Sequence, residues 1–145
     1  MDHGKYTCEM GKSLSSILQQ KGYEHIKVFY DHGCNDDPNC CRPTTYFDDY
    51  STATTLAQID LAIVDVTSGN VSVICEIEEE GASPKKILGD IFSILLAENV
   101  MIKRKKYQLN NFHYILGVRV PGKGLSSEKI KKIEKKFRIF NYIKD

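Results

Sequence analysis

The sequence contains no run of ~18 apolar residues, so no segment of it is expected to cross a membrane as a helix. Its start, Met-Asp-His-Gly-Lys-Tyr, carries no apolar stretch of the kind that directs secretion, and a cytoplasmic location is the expectation. It lacks an even set of cysteines. There are five, Cys8, Cys34, Cys40, Cys41 and Cys75, and without a secretion signal a disulfide framework is not expected. No internal repeat occurs. A charge of one sign is missing too, because the net charge is only +1.

What is present is a chain of 145 residues, 41% apolar and 27% charged, enough for one domain with a real core. The charge is lopsided. Residues 1–80 carry 5 Lys/Arg against 14 Asp/Glu, and residues 81–145 carry 15 against 5. That asymmetry points either to a nucleic-acid partner or to two halves that neutralise each other in the fold.

Apolar spacing predicts a helix over 12–21, with Leu14, Ile17 and Leu18 on one face and Gly22 to end it. Ile26–Tyr30 reads as a short strand. Residues 31–55 are rich in turn formers and hold His32, Cys34, Cys40 and Cys41. These are zinc-ligand types, but the spacing C-x5-C-C fits no common zinc pattern and adjacent cysteines do not easily share one ion. Ordinary thiols or a local redox disulfide are expected there in preference to structural Zn2+. Thr44 to Tyr50 reads as a short edge strand or an irregular turn.

Leu56–Val66 and Val71–Glu78 are expected to be central strands joined as an antiparallel hairpin through Thr67-Ser-Gly-Asn70. Ser83 and Pro84 then open a helix running to about Asn99, with Ile87, Leu88, Ile91, Phe92, Ile94, Leu95 and Leu96 on a wide apolar face. The basic tract Lys103–Lys106 follows, then a strand from Phe112 to Val120, a basic helix from Ser126 to Lys136 and a last strand from Arg138 to Ile143. The expected fold is α/β, one domain over residues 1–145, with a central mixed sheet of four or five strands and helices on both faces.

The chemistry concentrates at the end of the Val71–Glu78 strand. Alternation puts Glu76 and Glu78 on one face, with Ile74 and Ser72 behind them, and Val71, Val73, Cys75 and Ile77 on the other. Glu76 lies between Cys75 and Ile77, and Asp60 lies between Ile59 and Leu61. Acids in such apolar surroundings need a compensating partner, and a divalent cation with oxygen ligands is one. Glu79, Glu80 and Asp65 read as solvated ends.

Asp60 on one strand, Glu76-Ile-Glu78 on the next and a helix after it resemble the PD-(D/E)XK nuclease superfamily, over about residues 12–120. The chain departs from that pattern twice. Ile59 stands where proline precedes the first acid, and Glu78 stands where the lysine is expected. Some restriction endonucleases carry E-x-E there with a second metal in place of the lysine; other members move the lysine to the following helix, which points to Lys85 or Lys86. The family often adds an acid from the first helix, for which Glu9 and Glu24 are the nearest residues.

The resemblance implies a restriction-endonuclease-like fold and phosphodiester hydrolysis in DNA (or RNA). Asp60, Glu76 and Glu78 would hold Mg2+ or Mn2+, and Lys85 or Lys86 would contact the attacking water or the phosphate. Lys103, Arg104, Lys105, Lys106, Lys132 and Lys136 are the expected phosphate contacts, with Lys129, Lys131 and Lys135 on the same basic helix. Tyr107 reads as a core or rim residue rather than a base-stacking one. No specificity domain is visible, so a homodimer or a larger partner subunit is a further expectation. The alternative is a non-catalytic nucleic-acid-binding or regulatory module on the same fold.

Overall fold

A computed structural model describes residues 3–31, 37–78 and 83–118. The elements in chain order are helix α1 (His3–Gln20), strands β1 (Ile26–Tyr30), β2 (Thr44–Tyr46), β3 (Thr55–Gln58), β4 (Leu61–Asp65) and β5 (Asn70–Glu78), helix α2 (Pro84–Leu96), and strands β6 (Asn99–Ile102), β7 (Lys105–Gln108) and β8 (His113–Val118). Together they form an α/β unit with one mixed sheet of eight strands. That sheet is larger than the four or five strands expected. The basic helix over 126–136 and the strand over 138–143 lie outside the described residues.

Helix α1 begins earlier than its apolar spacing indicated and stops where expected. Gly22 adopts a positive φ of 79°. The Gly22 N–H then reaches the Gln19 carbonyl and the Tyr23 N–H the Leu18 carbonyl, a paired closure of the helix end that needs a residue free to enter the left-handed region. Leu14 and Leu18 pack with Cys8 against Val28, Tyr30, Leu61 and Cys75. On the other face Ile94 of α2 packs against Phe29, Ala62, Val64 and Ile74. Leu61 and Ala62 are consecutive strand residues and point opposite ways, so the two helices cover opposite faces of the sheet.

The β4–β5 hairpin forms antiparallel as the pattern indicated, with Leu61 opposite Cys75 and Ala62 opposite Ile74. A bulge separates Ile63–Val73 from Val64–Val71 pairing, so Ser72 is the extra residue. Val71 is thereby flipped onto the α2 face and packs with Ile74, contrary to simple alternation. Beyond the bulge alternation holds: Cys75 and Ile77 face α1, and Glu76 and Glu78 share the α2 face with Ile74.

The single strand expected over 56–66 is broken at Ile59-Asp60 into β3 and β4. The break lets β3 pair with β2, while β4 stays between β1 and β5. Thr44–Tyr46 is not an edge: β2 lies between β3 and β6. Helix α2 ends at Leu96 instead of Asn99, and Asn99–Ile102 opens a hairpin with β7. Its two-residue turn is Lys103-Arg104, with φ of 49° and 66°, the positive pair that a type I′ turn demands. The basic tract is thus the tip of a hairpin. Tyr107 is buried in the core, its ring 6.4 Å from that of Phe29 on β1. Strand β8 runs parallel to β5, with Tyr114 opposite Ile74 and Leu116 opposite Glu76.

Candidate active site

Four separate segments deliver acids to one end of the sheet. Asp60 stands at the break before β4, and its Oδ2 accepts the Ile77 N–H at 2.7 Å. Strand β4 begins only at Leu61, opposite Cys75, so its backbone does not serve Ile77; the Asp60 side chain takes that bond. Glu76 and Glu78 are both buried, at 7% and 6% exposure. The Glu76 carboxyl lies against Asp60. Burial, then the charge of Asp60, pushes the Glu76 carboxyl up to about 9.

Ser83 and Pro84 set the start of α2 as expected, the Ser83 Oγ accepting the Lys86 N–H at 3.2 Å. The cap aims the first turn back over β5. Lys86 Nζ donates to both oxygens of Glu78, each at 2.6 Å. Partial burial lowers the Lys86 ammonium, but the hydrogen bond and charge of Glu78 outweigh it and the net shift is upward. Lys85, its neighbour, is exposed and is not brought to the acids.

Asp90, one helical turn after Lys86, joins the same cluster. Its carboxyl lies against that of Glu78, and its Oδ2 is 3.9 Å from Lys86 Nζ. Burial, then that contact with Glu78, pushes its carboxyl up to about 6. The sequence pattern missed Asp90 because it reads as one polar residue of a helix; its spacing from Lys86 by four was the available signal. Asp31 was missed as well, taken for the start of a loop. Its N–H donates to the Asp60 carbonyl at 2.8 Å, it is buried at 7% exposure, and Arg42 Nε pairs with it at 3.4 Å. One step beyond the Tyr30–Leu61–Cys75 register, it extends the row of Asp60 and Glu76.

The remaining expected residues are placed elsewhere. Glu9 is exposed on α1, across the sheet from the acids, and pairs with Lys5 at 3.9 Å; Glu24 is exposed. Lys103 Nζ lies 6.0 Å from the Phe29 ring centre and Lys105 Nζ 5.1 Å from that of Tyr107. Lys106 Nζ is 3.6 Å from Asp49, and Arg104 is exposed at the hairpin tip. Lys129, Lys131, Lys132, Lys135 and Lys136 lie outside the described residues.

Cys40, Cys41 and Cys75 are free thiols, whereas Cys8 is disulfide-bonded. Burial pushes the Cys41 thiol up to about 11, which opposes the thiolate that zinc requires. Cys34 and His32 lie outside the described residues. A polar cleft of about 410 Å³ lined by Glu98, Asn99, Lys106 and Asn110 sits at the far end of α2, ~10 Å along the helix axis from Asp90.

The donor set of the acid cluster suits a hard divalent ion, since it offers carboxylate oxygens and no nitrogen or sulfur ligand. The crowding of Glu76 against Asp60 and of Asp90 against Glu78 is the unfavourable arrangement a cation relieves. As they stand, no three Asp, Glu, His or Cys side chains among the described residues are arranged to hold an ion. Lys86 occupies both oxygens of Glu78, and the Ile77 N–H occupies one of Asp60. Comparison with protein-family models, with curated proteins and with solved structures finds no match to the chain.

Proposed function

We propose that the chain is a metal-dependent nuclease of restriction-endonuclease-like fold, hydrolysing phosphodiester bonds in DNA (or RNA) with Mg2+ or Mn2+. The observation that carries the reading is the meeting of Glu78 with Lys86 beside Asp60 and Glu76, at the end of β5. The lysine absent from position 78 is supplied to the same place by the first turn of α2.

Asp60, Glu76 and Glu78 are the residues that would hold the ion. A divalent ion bound there lowers the pKa of its water and offsets charge on the phosphate. Glu76 must release its proton to serve as a ligand, because the folded protein retains it at neutral pH. Lys86, oriented by two bonds to Glu78, presents an ammonium to the phosphate or to the attacking water. The hairpin tip Lys103-Arg104, with Lys105 and Lys106, is the proposed contact for the backbone of the substrate, together with Lys132 and Lys136.

A second reading is a non-catalytic nucleic-acid-binding or regulatory module. What favours it is that Lys86 already neutralises Glu78 and that no three acids are arranged around an ion site. Incubation of short duplex DNA with purified protein and Mg2+ separates the two. Metal-dependent cleavage that is lost in a folded Glu76→Ala variant supports the nuclease. Cleavage by Glu76→Ala at the wild-type rate would overturn it, and DNA binding without cleavage or metal uptake would favour the module.

A further inference from the structure

The connection between β2 and β3 meets the β6–β7 hairpin on the face of these strands that is turned away from the core. Val100 and Tyr107, opposite each other in that hairpin, pack into the core with Ile94. Alternation therefore turns Asn99, Lys106 and Gln108 outward. Asn99 lies opposite Gln108 on one side and Tyr46 on the other, so the three form one row across β7, β6 and β2. The connection folds over this row. The Tyr50 ring rests 4.9 Å from that of Tyr46, and Asp49 lies 3.6 Å from Lys106 Nζ.

The polar cleft of about 410 Å³ opens on the same row, with Glu98, Asn99, Lys106 and Gln108 in its wall. Its volume is that of a small-molecule site. Asn99 is only 3% exposed, and its Nδ2 donates to the Asp48 carbonyl at 3.0 Å. That bond fixes which way the amide points. Its Oδ1 is buried and has no hydrogen-bond partner among the described residues. A buried acceptor without a donor is uncommon in folded proteins and calls for an explanation. A donor carried by a ligand in the cleft supplies one. Glu98, exposed at the same cleft, is a second acceptor. Lys106 is tied at the rim by a solvent-exposed ion pair, which counts for little in water, so its ammonium can turn to an anion of the ligand.

An aromatic surface completes the set. Tyr50 is 64% and Phe47 49% exposed, and neither ring belongs to the core clusters. Ser51 and Thr54 brace the connection that carries them, their hydroxyls 2.9 Å apart. Exposed rings beside lysines are the parts with which proteins hold single-stranded nucleic acid, rings for the bases and cations for the backbone. An exocyclic amine of a base is the donor that the Asn99 oxygen lacks.

We propose that this cleft binds an unpaired nucleobase of a single-stranded nucleic acid. Tyr50 stacks on the base, the Asn99 oxygen and Glu98 accept from its amine, and Lys106 contacts its phosphate. The inference rests on the nucleic-acid reading above and narrows it: the substrate carries an unpaired stretch ~10 Å along α2 from Asp90. It also sets a preference between pyrimidines, because cytosine carries an amine where thymine carries a carbonyl.

The test uses the full-length protein with EDTA present, so that no strand is cut, and fluorescence anisotropy with labelled strands of about ten nucleotides. Oligo-dC is expected to bind about 2–10-fold more tightly than oligo-dT. Tyr50→Ala is expected to weaken oligo-dC binding about 5–150-fold, the effect of removing one stacking ring, with an unchanged melting temperature. If Tyr50→Ala does not fold, Tyr50→Leu takes its place, with the same loss expected. Variant binding of oligo-dC within twofold of wild type would overturn the inference, and oligo-dT bound as tightly as oligo-dC would overturn the role of Asn99 and Glu98. Blunt duplex DNA bound in preference to single strands would overturn the inference and leave the nuclease reading standing. A protein that binds neither would overturn the nucleic-acid reading and this inference with it.

Discussion

The Glu76 carboxyl makes the stability of the metal-free protein depend on pH in a way that one substitution can isolate. The ordinary carboxyl titrates at 4.5, and burial beside Asp60 moves this one up to about 9. Between those values the folded protein holds a proton that the unfolded chain has released. The folded state therefore binds more protons, and the stability that this proton confers falls as pH rises. It is fully present below the unfolded pKa and fully lost above the folded one. The slope approaches ~1.4 kcal/mol per pH unit, so between about pH 5.5 and about pH 8.5 the loss has a ceiling of ~4 kcal/mol.

Glu76→Gln keeps the size of the side chain, removes the titration and offers the Asp60 carboxylate an amide donor. Urea denaturation at several pH values, with EDTA present, reads the difference directly. Wild type is expected to lose stability steeply over this range, and Glu76→Gln is expected to show a slope shallower by up to ~1.4 kcal/mol per pH unit. Equal slopes for the two proteins would refute the placement of Glu76 in a dry site against Asp60. The same substitution is expected to abolish metal-dependent cleavage.

Lys86→Ala leaves the buried Glu78 without its cation and is expected to lower stability by about 1–3 kcal/mol and abolish cleavage, whereas Lys85→Ala changes neither; denaturation and cleavage assays on the pair decide which lysine serves the site. Gly11 packs over Tyr30 so closely that an added Cβ would lie 2.2 Å from the ring. Gly11→Ala is therefore expected to destabilise by about 1–3 kcal/mol, against the ~1 kcal/mol that alanine gains in a free helix. A more stable Gly11→Ala protein in urea would contradict the docking of α1. Replacing the hairpin tip by Lys103→Asn with Arg104→Gly relieves two positive-φ residues, stabilising by about 1–2 kcal/mol, while reducing the salt dependence of DNA affinity by about two charges.

The features legible from sequence were those fixed by local chemistry. Ser83 and Pro84 mark the start of α2, Gly22 marks the end of α1, and Glu76 and Glu78 share a face because alternation holds from Val73 onward. The features that escaped were decided by distant partners. Ser72 bulges so that Val71 joins the α2 core, and an apolar run of Val71 and Val73 hides the slip. The β6–β7 hairpin turns on Lys103-Arg104 instead of the Asn-Gly that announces such turns, and the apolar Val100 and Ile102 continue the pattern of the helix before them. Asp60 breaks its strand and binds the Ile77 N–H, a role no spacing displays. Asp90 and Asp31 join the acids only through α2 and β1, elements whose placement is a property of the whole sheet.

The account centres on a cation held by acids from separate elements at the end of β5. A crystal structure of the protein soaked in Mn2+, recorded at the manganese absorption edge, tests it most directly. The expected result is an anomalous peak between the carboxylates of Asp60 and Glu76. A structure that keeps Glu76 against Asp60 and Glu78 bonded to Lys86, with no anomalous peak at the end of β5, would contradict it.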